Sequence, residues 1–114
     1  MRKVLFFDNV DVSTDPTSSV FEIPCGQDMR FLIQFVLSGV SDTIKVYIEE
    51  SIDGVVWTSM ANPSNCSFAF DLEPSNSPIG IKDNYFMGLF MRLRIESNGA
   101  TGLLTAKMGY KSRI

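Results

Sequence analysis

The sequence predicts an all-β protein, an antiparallel β-sandwich of about eight strands with a jelly-roll or immunoglobulin-like arrangement. Segments with alternating apolar and polar residues recur along the chain, and Gly, Pro, Asn, Asp and Ser clusters separate them. The segments between these turns are too short for the crossover helices that a parallel sheet needs. The length of 114 residues is that of one domain, which we place at residues 1–114.

The first 26 residues contain two of the predicted strands. Residues 2–10 form a β run that ends at a turn over residues 14–19, where Pro16 fixes φ and hydroxyl and carboxylate side chains favour a bend. Residues 20–23 form the second run, and Pro24 and Gly26 end it. This region therefore begins a series of short, turn-separated strands.

The remaining strands show the clearest two-residue period. Residues 30–37 place apolar side chains at every second position, and residues 44–48 repeat the pattern. Residues 67–72, 85–95 and 103–110 complete the set. The predicted core residues of the two best segments are Phe31, Ile33, Phe35, Leu37, Ile44, Val46 and Ile48.

A β-hairpin is predicted around Asp53 and Gly54, because both residue types accept the positive φ of a type I′ turn. A two-residue loop sets Trp57 across from Glu50, whereas a three-residue loop with a bulge sets it across from Ser51. The two registers place the indole on opposite faces of the sheet. Trp57 is therefore interpreted either as a packing side chain or as a ring that contacts a ligand.

The sequence lacks the residues that several kinds of catalysis require. The chain has no histidine, so neither Cys25 nor Cys66 has a histidine base, and no glycine-rich phosphate loop is present. Asp8, Asp11 and Asp15 do not follow the spacing of a calcium loop and are interpreted as turn-capping residues. The sequence predicts a protein that is not an enzyme, with no cofactor and no metal.

The net charge and the hydropathy of the chain indicate which partners to expect. The net charge of −3 predicts no nucleic-acid partner, and the apolar runs are too short to predict a membrane partner. The beginning of the chain does not have the pattern of a secretion signal, so we expect synthesis in a reducing cytoplasm. The cations near both ends of the chain are interpreted as a solvated rim or as groups that contact an acidic neighbour.

Apolar residues are predicted on both faces of several strands. Either loops of the same chain cover the second face, or a partner or symmetry mate does; we favour the partner, because extended apolar patches usually mark contact surfaces. Arg92 and Arg94 share a face with two phenylalanines and are interpreted as interface anchors or as strand charges paired with acids. The predicted interface residues are Leu5, Phe7, Phe86, Phe90, Arg92 and Arg94.

One pattern carries a family resemblance. A strand ends in Ser51-x-Asp53-Gly54, a tryptophan follows at position 57, and a later aromatic-led strand carries Arg92-x-Arg94. In this pattern, and in a last strand after Gly99, the chain resembles small β-sandwich virion proteins of tailed bacteriophages. The resemblance leaves the first 30 residues unmatched.

The resemblance implies a non-enzymatic structural virion protein, of the capsid-decorating, auxiliary head or tail-associated type. Such a protein is made in the host cytoplasm, binds other virion proteins and is oligomeric or attached to a lattice. The same pattern is similar to discoidin-like, galactose-binding jelly rolls. That similarity implies the alternative function, a carbohydrate-binding module with Trp57 and Tyr47 or Tyr85 as stacking rings for a glycan.

Overall fold

The computed structural model describes residues 2–23, 29–60, 68–83 and 89–112. It is a sandwich of two antiparallel sheets, which confirms the predicted fold class. The first sheet contains β1 (Arg2–Asp11), β3 (Met29–Ser38), β7 (Ile79–Asp83) and β9 (Leu103–Ser112). The second contains β2 (Phe21–Glu22), β4 (Ile44–Ser51), β5 (Thr58–Ser59), β6 (Phe70–Leu72) and β8 (Phe90–Glu96). Two short 3-10 helices cover Val12–Thr14 and Pro74–Asn76.

The strand order distinguishes between the two predicted arrangements. The first sheet has the order β1-β9-β3-β7, and the second has β2-β8-β4, with β5 and β6 both paired to the far side of β4. The first strand therefore pairs with the last, the second with β8, the third with β7 and the fourth with β5 and β6. This nested pairing is one long hairpin wound into two sheets, which is the jelly roll.

The core lies between the inner faces of the two sheets. Phe31, Ile33 and Phe35 of β3 point inward while the residues between them are exposed. In residues 44–49 of β4 and in β8 every second residue is likewise buried, and the residues between are half-buried except for Glu49, which is buried. Burial of a large aliphatic or aromatic side chain contributes about 1.5–3 kcal/mol each. The period-two pattern thus identified the buried face of β3, β4 and β8.

A β-bulge changes the phase of β1. Leu5 pairs with Lys107 and Phe7 pairs with Ala106, so two residues of β1 oppose one of β9. Phe6 and Phe7 are consequently both buried, whereas Leu5 remains 49% exposed. The interpretation of Phe7 as an interface residue is therefore wrong, because its side chain is only 3% exposed and packs in the core of its own chain.

The described strands differ from the predicted ones in the last half of the chain. Strand β7 was not predicted, because Gly80 interrupts a short apolar run directly after Pro78. Pairing with β3 stabilises it, with Gly80 opposite Gln34 and the Leu32 side chain lying over the glycine. The predicted strand 85–95 is described only from residue 89 onward, and Cys25, Cys66, Tyr85 and Phe86 lie outside the described residues.

The turn before β9 packs directly against the turn after β3. Gly102 has φ +127°, and a Cβ atom there would lie 2.6–2.7 Å from backbone atoms of Gly39 and Val40. The Gly102 carbonyl accepts a hydrogen bond from the Val12 N–H at 3.0 Å, and the Thr101 carbonyl accepts one from the Ser41 N–H at 2.9 Å. Only glycine fits this close approach of three backbone segments.

We expect Gly102→Ala to lower the free energy of unfolding by about 2–4 kcal/mol, because it combines an unfavourable φ with a backbone collision. Gly99→Ala is the matched control, since Gly99 has φ +86° and open space around its Cα. It should cost only about 1 kcal/mol. Chemical denaturation of both variants measures the difference; equal losses would contradict the close contact.

A carboxylate joins the segment after β1 to the turn after β8. Asp15 Oδ1 accepts hydrogen bonds from the Ser97 N–H at 2.9 Å and from the Ser97 hydroxyl at 2.7 Å. The backbone hydrogen bond and then the hydroxyl bond lower the pKa of Asp15 below its ordinary value of 3.8, against a smaller opposing effect of burial. Asp15 thus has a capping role, as does Asp11, whose carboxylate accepts the Ser13 N–H.

This hydrogen bonding makes stability depend on pH. Because the pKa of Asp15 is lower in the folded than in the unfolded protein, its stabilisation is present above the unfolded pKa and is lost as the pH falls through the folded pKa. We expect Asp15→Asn to have a lower Tm than the wild type at pH 7. The difference should be smaller at about pH 2 than at pH 7, because the wild-type carboxylate becomes protonated as the pH falls through its folded pKa. A Tm difference that is the same at both pH values would contradict this assignment.

Candidate interaction surfaces

The segment between β4 and β5 is a hydrogen-bonded loop. Asp53 Oδ1 accepts the N–H groups of Val55 at 2.8 Å and Val56 at 3.0 Å, and also the Ser51 hydroxyl at 2.9 Å. The Ser51 oxygen in turn accepts the Gly54 N–H at 2.8 Å. The two backbone hydrogen bonds and then the Ser51 hydroxyl lower the pKa of Asp53. Ser51 and Asp53 therefore hold the loop in one shape through reciprocal side-chain bonds.

The hairpin prediction is correct in topology and wrong in loop length. Strands β4 and β5 pair antiparallel, but the last pair is Glu50 with Thr58, so the loop has seven residues, 51–57. Gly54 has the expected positive φ of +78°, whereas Asp53 does not, so the turn is not type I′. The register that sets Trp57 across from Glu50 is wrong, because Thr58 lies opposite Glu50. The register that sets Trp57 across from Ser51 agrees with the two observed pairs, although the pairing ends one residue earlier.

The two arginines of β8 lie on the outer face of the second sheet and share one carboxylate. The register places Glu49 opposite Arg92 and Tyr47 opposite Arg94. Glu49 Oε1 accepts from Arg92 Nε at 2.8 Å, and Oε2 accepts from Arg94 Nε at 3.2 Å. The Glu49 side chain is only 8% exposed. A carboxylate this well buried needs such charge-assisted partners.

Each of these guanidinium groups also stacks on an aromatic ring. Arg92 Cζ lies 4.2 Å from the centre of the Trp57 ring, and Arg94 Cζ lies 4.0 Å from that of Tyr47. The Tyr47 hydroxyl donates to Glu96 Oε2 at 3.1 Å. Burial, and next this hydrogen bond and the charge of Glu96, raise the pKa of Tyr47, while Arg94 opposes the shift. We call the set Trp57, Arg92, Glu49, Arg94 and Tyr47 the Arg–aromatic ladder.

The ladder explains the spatial relation between the residues that carry the resemblance to phage virion proteins. Ser51, Asp53 and Gly54 shape the loop, and the loop brings Trp57 over Arg92. Of the two interpretations of the arginines, pairing with an acid across the sheet is what the described contacts show. Their part in an interface with another molecule stays a prediction, as does glycan stacking on the half-buried rings.

The two phenylalanines that were predicted to share a face with Arg92 and Arg94 are Phe86 and Phe90. Phe90 lies on the same face as the ladder, opposite Ser51, and is half-buried. Its ring lies beneath the loop, since a Cβ on Gly54 would be 3.8 Å from two of its atoms. Its own chain therefore covers part of Phe90. Phe86 lies outside the described residues.

The outer face of the first sheet carries exposed aliphatic side chains. The register puts Leu5 of β1, Leu32 and Val36 of β3 and Leu103 of β9 on this face. They are 41–49% exposed, so the described part of the chain leaves much of their surface uncovered. Leu5 is thus the predicted interface residue that the structure leaves most accessible. The sequence pattern had shown the second apolar face of β3, but the contribution of Leu103 was missed.

A second exposed apolar group lies on the 51–57 loop. Ile52, Val55 and Val56 are 69–78% exposed. A hairpin with a two-residue loop at Asp53 and Gly54 would pair Ile52 with Val55, so the exposure of these residues at the loop apex was not predicted. These residues provide a useful control, because they are as aliphatic as the outer face of the first sheet but lie elsewhere.

Comparisons with known proteins do not assign the chain to a family. No protein-family model and no curated protein matches the sequence. Within the described ranges, no group of three or more Cys, Asp or Glu side chains is arranged to hold a metal ion. No helix among the described residues is long and apolar enough to cross a membrane. The class that the structure defines is the jelly-roll β-sandwich.

We expect Arg92→Ala to shift the fluorescence of Trp57, the only tryptophan, to longer wavelength and to increase quenching by acrylamide. The substitution removes the guanidinium that covers one face of the indole and so admits water. Arg94→Ala is the matched control, because it also removes one ion pair with Glu49 but uncovers Tyr47 instead. Equal spectral changes in the two variants would contradict the ladder geometry.

Proposed function

We propose that the protein is a non-enzymatic structural virion protein of a tailed phage, of the auxiliary or capsid-decorating kind. It docks on the protein lattice of the head through the outer face of the first sheet. The observation that carries this proposal is the group of four exposed aliphatic residues on that face. Extended apolar surface on one side of a folded domain is typical of a contact site.

The aliphatic residues form a patch that extends across several strands. Leu5 lies in β1 and Leu32 in β3, with β9 between them, which separates the two backbones by about 10 Å. Val36 lies on the same face four residues further along β3, at about 13 Å. A patch of this size can contact a broad, flat partner surface. It does not form the concave pocket that is typical of a small-molecule site.

The other faces are less suited to docking. On the outer face of the second sheet, both arginines of the ladder already bind Glu49 and each covers an aromatic ring. The jelly-roll fold itself occurs in both viral capsid and lectin domains, so it does not favour one over the other. The resemblance to phage virion proteins favours the lattice, where many copies with modest individual affinity act together.

Association with particles tests the proposal. Particles of the phage that encodes the chain, prepared without this protein, should bind the purified protein and sediment with it. The double variant L5S/L32S should bind at least about tenfold more weakly, because each exposed leucine contributes on the order of 1 kcal/mol when a partner covers it. V55S/V56S, on the 51–57 loop, should bind like the wild type.

The alternative function is tested in the same series. Failure of the wild-type protein to sediment with particles, together with glycan-array binding that is lost in Trp57→Ala, would overturn docking and support the carbohydrate-binding module. Equal binding of both double variants and the wild type would show that the outer face of the first sheet is not the contact surface.

A further inference from the structure

We infer that the surface to which this protein docks is an acidic protein surface, with carboxylates placed around apolar residues. The inference rests on the proposed function and identifies the chemistry of the partner at the same face. It comes from five cationic side chains that the register places among the exposed aliphatic ones. These cations are Lys3, Arg30, Lys82, Lys107 and Lys111.

The strand register gives the positions of these cations. One row across the sheet runs from Lys3 through Gly109 and Leu32 to Lys82, so a cation lies at each end of a row that contains a leucine. The next row on this face places Lys107 directly beside Leu5. All of these cations are exposed.

Arg30 and Lys111 oppose each other on β3 and β9. Lys107 and Lys111 are four residues apart on one strand, or about 14 Å, and the row from Lys3 to Lys82 spans a similar distance. The cations therefore flank the end of the aliphatic patch that contains Leu5 and Leu32, whereas Val36 and Leu103 lie beyond them towards the other end of the sheet.

These charges are available to a partner. Within the described part of the chain, the two recorded ion pairs both involve Glu49 on the other sheet, and none involves these five cations. Asp11 lies on the same face but opposite Leu103, at the far end, and its carboxylate is engaged by Ser13. The carboxylate of Asp8 is the other exposed acid of β1. The rows of this face that contain Arg30, Leu32 and Gln34 carry cations and no carboxylate among the described residues.

The charge of this face differs in sign from the net charge of the whole molecule. The chain has 10 Lys and Arg and a net charge of −3, yet five of those 10 cations lie on one face. The negative net charge disfavours long-range attraction to nucleic acid or to an anionic membrane. The described residues of this face include no aromatic ring for base stacking, and they include aliphatic residues that need an apolar counterpart. A protein with an acidic, partly apolar patch supplies both contacts.

The test neutralises the cations in the particle-binding assay. K3Q/K107Q/K111Q should bind particles at least about tenfold more weakly than the wild type, and its affinity should depend less on NaCl between 50 and 500 mM. S19D/S75D/N98D is the matched control, because it changes the net charge by the same −3 at exposed positions off this face. It should bind within about twofold of the wild type. Circular dichroism checks that both variants are folded.

The outcomes separate the partner chemistry from the docking proposal. Normal binding by the lysine variant, combined with weak binding by L5S/L32S, would overturn the acidic partner and leave docking intact. Equal weakening of the lysine variant and its charge control would also overturn it. No binding by the wild type would overturn both. Tighter wild-type binding to phosphatidylserine vesicles or to duplex DNA than to particles would overturn a protein partner in favour of that anion.

Lysine acetylation of the wild-type protein provides an independent measurement. On particles, Lys3, Lys107 and Lys111 should be protected from acetylation, whereas Lys45, on the second sheet, should react as it does in the free protein. Equal reactivity of all four lysines in the free and bound states would overturn the inference.

Discussion

Burial of one face of every long strand between the two sheets is the constraint on which the rest of the structure depends. It fixes the register, because a shift of one residue would exchange the inner and outer sets. Phe35 and Ile33 of the first sheet and Ile48 and Leu93 of the second are fully buried as a result. The bulge in β1 satisfies the same constraint, since it turns two consecutive phenylalanines inward. Only the outer faces of the sheets and the loops are therefore available for contact with other molecules.

The outer faces of the two sheets differ in how their charged side chains are paired. On the second sheet, Glu49 is almost fully buried and both of its oxygens bind arginines, so the cost of its desolvation is offset within the chain. The stacked rings of Trp57 and Tyr47 fix the orientation of those arginines. On the first sheet, the described cations lie beside the uncovered Leu5 and Leu32 and form no ion pair with another described residue. The charges on the outer face of the second sheet are thus paired within the chain. The outer face of the first sheet combines cations with exposed leucines, which is the composition of a contact surface.

The sequence pattern predicted most of the fold but little of the surfaces. Alternation was sufficient for β3, β4 and β8, because in each of them apolar residues at every second position are buried. It could not place Phe7, since a bulge changes phase without a local signal, or β7, which is stabilised by its neighbour β3. The 51–57 loop was predicted too short because Ser51 and Asp53 bind backbone N–H groups and so compete with a tight turn. The arginine pairs depend on register across strands, which one sequence does not specify.

The nested strand pairing also determines when the molecule can fold during synthesis. Strand β4 can pair with β5 as soon as both have left the ribosome, because only a short loop separates them. Each outer pair must close a longer loop, and β1 has no partner until β9 has been made. The nascent chain therefore exposes the apolar side of β1, including Phe6 and Phe7, for almost the whole of translation. Apolar surface that is exposed in this way favours aggregation until the two sheets have formed.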